Sequence, residues 1–239
     1  MRETAGKAEI KTVIFDVDNT LYDFDHANLR ALKQVAVYAK ERLGWEEDWF
    51  FRECQNMINQ LHDRLGDVSA AHNRLIRFQN MLEEEDLPLK PYALDMYRIY
   101  WDTVIDTANV SPGAAEVMQK LKDKGIRVGI GTDMTAWIQF QKLDRMHLLE
   151  YVDFIVSSEE ASSEKLNQDF FDVCLTKTKC AAEECLFIGD SLTRDYHGAL
   201  KAGMQARLFV PPCGLLRTED PGDEQVQTIS DLREVLKLV

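Results

Sequence analysis

The segment TVIFDVDNT, residues 12–20, decides the fold. Its first four residues form a β-prone apolar run that stops at Asp16, which predicts a strand buried on both faces with an acid at its carboxyl end. Asp18 follows two residues later. Two carboxylates this close repel each other unless a cation lies between them, and a hard ion such as Mg²⁺ suits oxygen ligands. The alternative is a turn in which an Asp or Thr20 caps the next helix.

A long helical stretch follows this strand. Apolar residues at a 3.6-residue period predict a helix that ends at Gly44, a second that ends at Gly66, a third around residues 75–82 and a fourth that begins near Pro91. The periodic positions of the first and fourth helices are Leu29, Leu32, Val35, Ala36, Ala39, Leu43 and Leu94, Tyr97, Tyr100, Trp101, Val104, Ile105. No strand pattern interrupts residues 24–108.

From residue 113 onward, helices alternate with strands. We predict helices over 113–124, 135–146, 168–178, 193–202 and about 231–238, and strands over 126–130, 153–156, 185–188 and 206–210. This alternation is typical of a parallel sheet with right-handed crossovers and helices on both faces. The predicted fold is α/β, with a doubly wound, Rossmann-like parallel-sheet core over 1–22 and 109–239. An inserted four-helix cap domain occupies 23–108.

Polar residues also follow the second and third predicted strands, at the edge where an open α/β sheet binds ligands. Thr132 and Asp133 come directly after the second strand. A hydroxyl and free backbone amides at a helix N-terminus can hold a phosphate, and capping of the helix is the alternative. Lys165 lies in a polar loop after the third strand, where a lysine by itself is usually only solvated.

The fourth strand runs into FIGDSLTRD, residues 187–195. Asp190 at the strand tip can reach the same ion as Asp16, and Asp195 can hold a metal-bound water or Lys165. Capping by Thr193 and Asp195 is the alternative. Four strand ends that each carry part of a phosphate and metal site, in the right order, indicate function more strongly than four separate caps.

Composition limits the partners. The chain has 239 residues, of which 28 are basic and 41 acidic, so its net charge is −13. A field of this sign repels nucleic-acid polymers and anionic membranes, and we expect neither as a partner. It also repels a small phosphorylated substrate, so an anion site needs a metal, a lysine or backbone amides to reverse the charge locally.

Cysteines and the N-terminus give weaker indications. The cysteines are scattered and odd in number, which argues against a zinc site and favours buried apolar roles for several of them. They are Cys54, Cys174, Cys180, Cys185 and Cys213. The opening MRETAGKAEIK is too polar for a signal peptide, and no apolar stretch reaches about 18 residues. We expect a soluble cytoplasmic protein that is a monomer or a homodimer.

Together these residues resemble the haloacid dehalogenase superfamily, in the branch with a helical C1-type cap after the first motif. DVDNT at 16–20, GIGTD at 129–133, Lys165 and GDSLTRD at 189–195 are similar to its four motifs, and Gln139 and Lys142-Leu143 fit the pattern after the second. The closest likeness is to nucleotidase and acylneuraminate phosphatase-like members. Asp133 stands where an asparagine is common, and Leu166 where a proline is usual.

The resemblance implies a Mg²⁺-dependent phosphatase that acts on a small phosphorylated metabolite. It implies that Asp16 is the nucleophile, which forms an aspartyl-phosphate, and that Asp18 is the general acid and base. It further implies a phosphate site formed by Thr132, Asp133 and Lys165, and a metal site formed by Asp16, Asp18 through its backbone carbonyl, Asp190 and Asp195.

Three other functions remain open: a phosphomutase of the same fold, a non-catalytic binding module and a 2-haloacid dehalogenase. Within the cap, the loop 66–69 could face the active site. We interpret the nearby cations as ordinary solvated side chains and the aromatic stripe as core. These residues are His62, His72, Arg74 and Arg77, and Phe50, Tyr97 and Trp101.

Overall fold

The computed structural model describes residues 8–211 and 225–239, and these contain a parallel six-stranded sheet. The strand order is β3-β2-β1-β4-β5-β6, with β1 next to both β2 and β4. The strands are β1 Thr12–Phe15, β2 Arg127–Thr132, β3 Phe154–Ser157, β4 Cys185–Gly189, β5 Gln205–Phe209 and β6 Thr228–Ile229. The predicted α/β, doubly wound, Rossmann-like fold is confirmed.

Both faces of the sheet are buried, as the apolar run of β1 predicts. Val13 and Phe15 belong to one hydrophobic cluster and Ile14 to another, so alternate residues of the same strand serve the two faces. The chain adds strands on one side of β1 and then returns to the other side. The switch point therefore lies between β1 and β4, and Asp16 and Asp190 directly follow these two strands.

Helices connect the strands close to where the sequence predicts them. They are α1 Phe24–Leu43, α2 Glu47–Leu65, α3 Arg74–Glu84, α4 Tyr92–Asp106, α5 Ala114–Asp123, α6 Ala136–Arg145, α7 Ser158–Ala161, α8 Gln168–Thr178 and α9 Gly198–Lys201. Gly44 and Gly66 follow α1 and α2 with φ of 74° and 71°, a left-handed value that glycine adopts readily. Both predicted helix ends are confirmed.

Helices α1–α4 pack together between β1 and α5, with α1 on α2 and α4, and α3 on α2 and α4. The buried face of α1 is built mostly from alanine: Ala27, Ala31, Ala36 and Ala39 with Val35. Small residues allow the helices to approach closely. The periodic assignments of Leu29 and Leu94 were wrong, because both side chains are exposed, at 38 % and 50 %.

The chain leaves and re-enters the sheet region at adjacent positions. Tyr22 forms an isolated antiparallel bridge with Val110, and the Ser111 amide donates to the Leu21 carbonyl at 2.7 Å. The Ser111 hydroxyl donates to the Thr20 carbonyl at 2.8 Å. These contacts tie the first and last residues of the helical segment together close to the end of β1.

The other differences from the sequence prediction are short elements. The predicted helix 193–202 is a π-helix, Leu192–His197, that continues into α9. The final helix is a 3₁₀-helix, Leu232–Lys237. A further 3₁₀-helix, Ser69–His72, and the short α7 and β6 had no sequence signal, since so few residues show no periodicity.

Cys54, Cys174 and Cys185 are buried, as their apolar surroundings predict. Cys213 lies outside the described residues, as does most of the polar opening segment. Within the described ranges, no helix has the length and apolar character needed to cross a membrane.

Candidate active site

A cavity of about 300 Å³ opens at the carboxyl edge of the sheet, where the switch point lies. Residues that follow β1, β2, β3 and β4 line it on one side, and residues of the helical segment line it on the other. The first group is Asp16, Asp18, Asn19, Thr132, Asp133, Met134, Lys165, Asp190, Ser191, Arg194 and Asp195, and the second is Phe24, His72 and Arg74.

Three carboxylates meet in this cavity. One oxygen each of Asp16, Asp190 and Asp195 lies within 4.8 Å of the others. Asp195 reaches the group because the π-helix follows β4 directly and because position 189 is glycine. A Cβ atom at Gly189 would overlap the Asp195 carboxylate. The Ser191 amide donates to Oδ2 of Asp195 at 3.0 Å and fixes its orientation.

The carboxylates raise one another's pKa. Burial raises the pKa of Asp16 well above its ordinary value, Lys165 opposes this rise, and Asp195 and Asp190 add to it. Burial and the charge of Asp195 raise the pKa of Asp190 to about 7. The group therefore resists holding all its negative charges at once unless a cation is close.

Lys165 supplies part of that positive charge. Its Nζ donates to Oδ1 of Asp16 and lies 2.8 Å from Oδ1 of Asp195. Burial opposes its charged form, but the charges of Asp16, Asp195 and Asp133 raise the pKa of Lys165 well above its ordinary value. Lys165 is therefore a buried ammonium that faces the carboxylates.

Asp133 holds the loop that presents this lysine. The backbone amide of Lys165 donates to Oδ1 of Asp133 at 3.1 Å, and Nη1 of Arg194 lies 3.4 Å from Oδ2. The acid that replaces the common asparagine thus uses both oxygens within the protein. Leu166, which replaces the usual proline, is 43 % exposed, while Lys165 beside it is 4 % exposed.

The donor set fits a magnesium ion. Carboxylate oxygens are the ligands this ion prefers, and one lysine leaves excess negative charge among three buried acids. Oδ1 of Asp195 is buried and has no hydrogen-bond partner among the described residues, despite its proximity to Lys165. Asp16, Asp190 and Asp195 could hold the ion. The Asp18 carboxylate is not in this group, and the sequence prediction assigns it a backbone contact only.

Thr132 is oriented by a buried glutamine. Nε2 of Gln139 donates to Oγ1 of Thr132 at 2.8 Å and lies 3.3 Å from the Asp133 carbonyl. The hydroxyl itself donates to the Asp133 carbonyl at 3.5 Å, a long contact that an acceptor in the cavity could replace. Gln139 is fully buried and lies in the first turn of α6.

Asp18 is paired with a lysine from α6. Nζ of Lys142 donates to Oδ1 of Asp18 at 2.6 Å, and Lys142 is fully buried. The ammonium also lies 5.1–5.4 Å from the ring centroids of Phe24, Tyr22 and Trp101. From the sequence, Lys142 could be matched only to a family pattern. No local sequence pattern places it beside Asp18, which lies 124 positions away in the chain.

The helical wall, by which we mean Phe24, His72 and Arg74 at the cavity and Arg77 next to Arg74, contains three cations that were wrongly predicted to be ordinary solvated side chains. His72 and Arg74 line the cavity and are not ordinary solvated side chains, since Arg74 is only 7 % exposed. Nε2 of His72 lies 2.8 Å from Oε1 of the fully buried Glu164. This contact joins the end of the Ser69–His72 turn to the loop of Lys165. Arg77, at 3 % exposure, was misjudged in the same way, because helical periodicity favours apolar residues as the buried ones.

The aromatic stripe is core, as predicted, for Phe50 and Trp101, and Tyr97 is partly buried against it. Trp101 also contacts the cavity cations, because its ring lies 5.4 Å from both Lys142 Nζ and the Arg74 guanidinium.

Comparison with known proteins places this geometry in a family. The family model described as haloacid dehalogenase-like hydrolase matches residues 10–203. The ribulose-1,5-bisphosphate 5-phosphatase of Halopiger xanaduensis is 30 % identical over 94 % of this chain and 98 % of its own. The glyceraldehyde 3-phosphate phosphatase of Methanothermobacter thermautotrophicus is 28 % identical over 83 % and 85 %, respectively. The human N-acylneuraminate-9-phosphatase is 21 % identical over 98 % and 96 %.

Solved structures share the fold. The hydrolase YfnB from Bacillus subtilis, bound to magnesium, superposes with a TM-score of 0.71 at 22 % identity over 96 % of this chain and 98 % of its own. A 2-haloacid dehalogenase from Pseudomonas syringae has a TM-score of 0.77 at 20 % identity over 96 % and 97 %. Since phosphatases and dehalogenases share the fold, the fold does not decide between them. The match over most of the sequence and the arrangement at the switch point agree, and the chain belongs to the haloacid dehalogenase-like hydrolase family.

Proposed function

We propose that this protein is a Mg²⁺-dependent phosphatase that hydrolyses a small phosphorylated metabolite through an aspartyl-phosphate on Asp16. The observation that carries the proposal is the meeting of the Asp16, Asp190 and Asp195 carboxylates in one cavity with Lys165 and Thr132. The three relatives described above, which are named as phosphatases of small phosphate esters, support a phosphoric monoester hydrolase.

Asp16 is the nucleophile in this mechanism. One of its carboxylate oxygens attacks phosphorus in line, the bond between phosphorus and the ester oxygen breaks, and the phosphoryl group is then carried by Asp16. Burial and the fixed position beside Lys165 hold the carboxylate in place. When bound by Asp16, Asp190 and Asp195, Mg²⁺ supplies positive charge that allows an anionic nucleophile to approach an anionic ester.

Asp18 moves the proton. Its carboxyl group gives a proton to the ester oxygen as that oxygen leaves. It then takes a proton from the water that attacks the phosphoryl group, so that inorganic phosphate and free Asp16 are released. Lys142 holds the Asp18 carboxylate through the 2.6 Å contact and so fixes its position in the cavity.

The remaining phosphoryl oxygens have donors within the same cavity. Lys165 provides an ammonium, and Thr132 provides a hydroxyl that Gln139 orients and whose long 3.5 Å bond to the Asp133 carbonyl a phosphoryl oxygen could replace. A dehalogenase mechanism does not require the acid at position 18, so its pairing with Lys142 favours the phosphatase.

We also propose that helices α1–α4, residues 23–108, form a cap domain that covers the site and selects the substrate. Phe24, His72 and Arg74 from this segment complete the cavity wall, which supports this role. Closure over the cavity would exclude water from the phosphoryl group before the attacking water enters.

The test uses p-nitrophenyl phosphate with the purified protein. We expect release of nitrophenol in Mg²⁺, none in EDTA, and full recovery when Mg²⁺ is added back. In Asp18→Asn we expect a mass increase of one phosphoryl group that base or hydroxylamine removes, located on Asp16 by peptide mapping. Turnover that persists in EDTA would contradict the metal requirement, and a phosphoryl group on another residue would contradict the nucleophile.

A further inference from the structure

Two arginines in the helical wall are buried without a counter-charge. Arg74 is 7 % exposed and Arg77 is 3 % exposed, and neither lies within ion-pair distance of a carboxylate among the described residues. The Nε atoms of both are buried and have no hydrogen-bond partner there. A buried guanidinium without an acceptor is costly, so a fold that keeps two of them calls for an explanation.

Aromatic contacts explain how Arg74 is held but do not satisfy its donors. Its guanidinium lies 5.2–5.9 Å from the ring centroids of Tyr100, Trp101 and Phe24. A cation over a ring face interacts through its plane, and the N–H groups point outward within that plane. Among the described residues, Nη1 alone of its nitrogens has an acceptor, the His72 carbonyl at 2.6 Å. The rings therefore fix the position of a cation whose other donors remain available.

Most acids beside the cavity already have other basic partners among the described residues. The pairs are Asp18 with Lys142, Asp133 with Arg194, Glu164 with His72, and Asp16 and Asp195 with Lys165. Asp190 belongs to the group of three carboxylates at the sheet edge. No carboxylate in the described part of the chain lies within ion-pair distance of Arg74 or Arg77.

The two guanidinium groups lie close together, and their positive charge extends beyond the catalytic cavity. Burial, and then the charge of Arg74, lowers the pKa of Arg77 to about 10, so the two cations are close enough to repel. Arg74 lines the catalytic cavity and also a second cavity of about 250 Å³, which Arg77 lines as well. Positive charge thus continues from the site of the phosphoryl group into the helical wall.

We propose that the substrate carries a second anionic group, a phosphate or a carboxylate, besides the phosphate that is removed, and that Arg74 binds it. Arg77 adds positive charge behind Arg74. This inference rests on the proposed phosphatase function and narrows its substrate class to doubly anionic phosphomonoesters. It also accounts for a local excess of positive charge in a protein whose net charge is −13.

The test compares matched pairs of esters that differ only in the second anion. Ribulose 1,5-bisphosphate against ribulose 5-phosphate tests a second phosphate, and 3-phosphoglycerate against glycerol 3-phosphate tests a carboxylate. We expect the wild-type protein to favour the doubly anionic member of at least one pair in kcat/KM. In Arg74→Met this preference falls about 100-fold, since charged hydrogen bonds are lost, and in Arg77→Met about 5-fold.

Arg52→Gln is the matched control, because it removes one positive charge from an exposed position on α2 and should leave the preference unchanged. Circular dichroism and melting curves establish that the variants fold, and Arg74→Lys provides a second variant that keeps the charge. A loss in Arg74→Met that is equal for both members of a pair would overturn the proposal, and so would a wild type without preference.

Binding to Asp16→Asn by calorimetry separates this inference from the proposed function. We expect the doubly anionic member of the pair to bind this inactive protein more tightly, and Arg74→Met in the same background to remove the difference. If p-nitrophenyl phosphate is not hydrolysed but this difference in binding appears, the phosphatase proposal fails while the second-anion site stands. If p-nitrophenyl phosphate is hydrolysed but the two esters bind equally tightly, the second-anion site fails while the phosphatase proposal stands.

Discussion

The two walls of the cavity treat buried charge in opposite ways. At the sheet edge, the ammonium of Lys165 contacts Asp16 and Asp195, and part of the negative charge is thus paired within the protein. In the helical wall, Arg74 and Arg77 are just as buried but have no acid beside them among the described residues. Among the described residues, the sheet edge thus carries excess negative charge, which suits a divalent cation, whereas the helical wall carries excess positive charge, which suits an anion.

In the proposed function, this difference corresponds to separate roles of the two walls in catalysis and in substrate recognition. The sheet edge contains groups that any phosphoryl transfer through an aspartate needs, so its residues are determined by chemistry. The helical wall contains buried cations without an acid beside them among the described residues, and in our proposal they recognise a second anion of the substrate. Variants that remove charge from one wall at a time test this difference between the walls.

The largest effect is expected for the nucleophile. Asp16→Asn should lower kcat by about 10⁵-fold, because no other group takes over the attack. The metal-free variant should be as stable as the wild type or more so, since one of the mutually repelling carboxylates is removed. Steady-state assays and thermal melts in EDTA measure both. Activity close to wild type would refute the role of Asp16.

Two methionine substitutions compare the buried cations directly. Lys165→Met should destabilise the protein by about 3–5 kcal/mol, because it breaks a buried pair and leaves Asp16 and Asp195 uncompensated. Arg77→Met should leave stability unchanged or increase it, because it replaces an unpaired buried charge with an apolar side chain. Urea unfolding in the absence of ligands measures the two changes. Equal destabilisation would contradict the comparison between the walls.

Variants of Asp18 and Lys142 test whether these two paired residues act as a unit. Asp18→Asn should lower kcat by about 10³-fold, in the range of general acid–base catalysis. Lys142→Met should lower it by about 30-fold, because the carboxylate loses its positioning partner. If Lys142 acts through Asp18, adding Lys142→Met to Asp18→Asn should cost little more. A fully additive loss would show that the two residues act independently.

The smallest expected effect is the pH dependence of the rise in melting temperature that Mg²⁺ causes. The pKa of Asp190 in the metal-free protein is about 7, so the group is mostly protonated near about pH 6 and mostly ionised near about pH 8. The ion must displace that proton at the lower pH. The rise in melting temperature caused by Mg²⁺ should therefore be larger at about pH 8, and it should vanish in Asp190→Asn. Arg77→Met, in the other wall, should show the wild-type rise.

The sheet-edge site could be predicted largely from local sequence. Asp16, Thr132 and Asp190 each follow an apolar run directly, and parallel strands bring their carboxyl ends to one edge. Lys165 and Asp195 were placed by spacing from the same strands. The structure brings all five into one cavity, and their catalytic roles stay predictions.

The residues of the helical wall could not be predicted from local sequence in the same way. Periodicity tells which face of a helix is buried but not whether it is buried against protein or against a ligand. It therefore favoured Leu29 and Leu94, which are exposed, and treated Arg74 and Arg77 as solvated, although they are buried. Lys142 shows the same limit, because its partner Asp18 lies 124 positions away in the chain.

The sequence by itself determined the α/β fold, the four strand ends that carry polar groups and the helical character of the insertion, because each depends on residues that are neighbours in the chain. Only the tertiary structure decided which side chains of the helical segment face the carboxylates, and that two arginines there have no counter-charge within residues 8–211 and 225–239. The physical reason is that an uncompensated charge is a property of everything packed around it, and those surroundings come from distant parts of the chain.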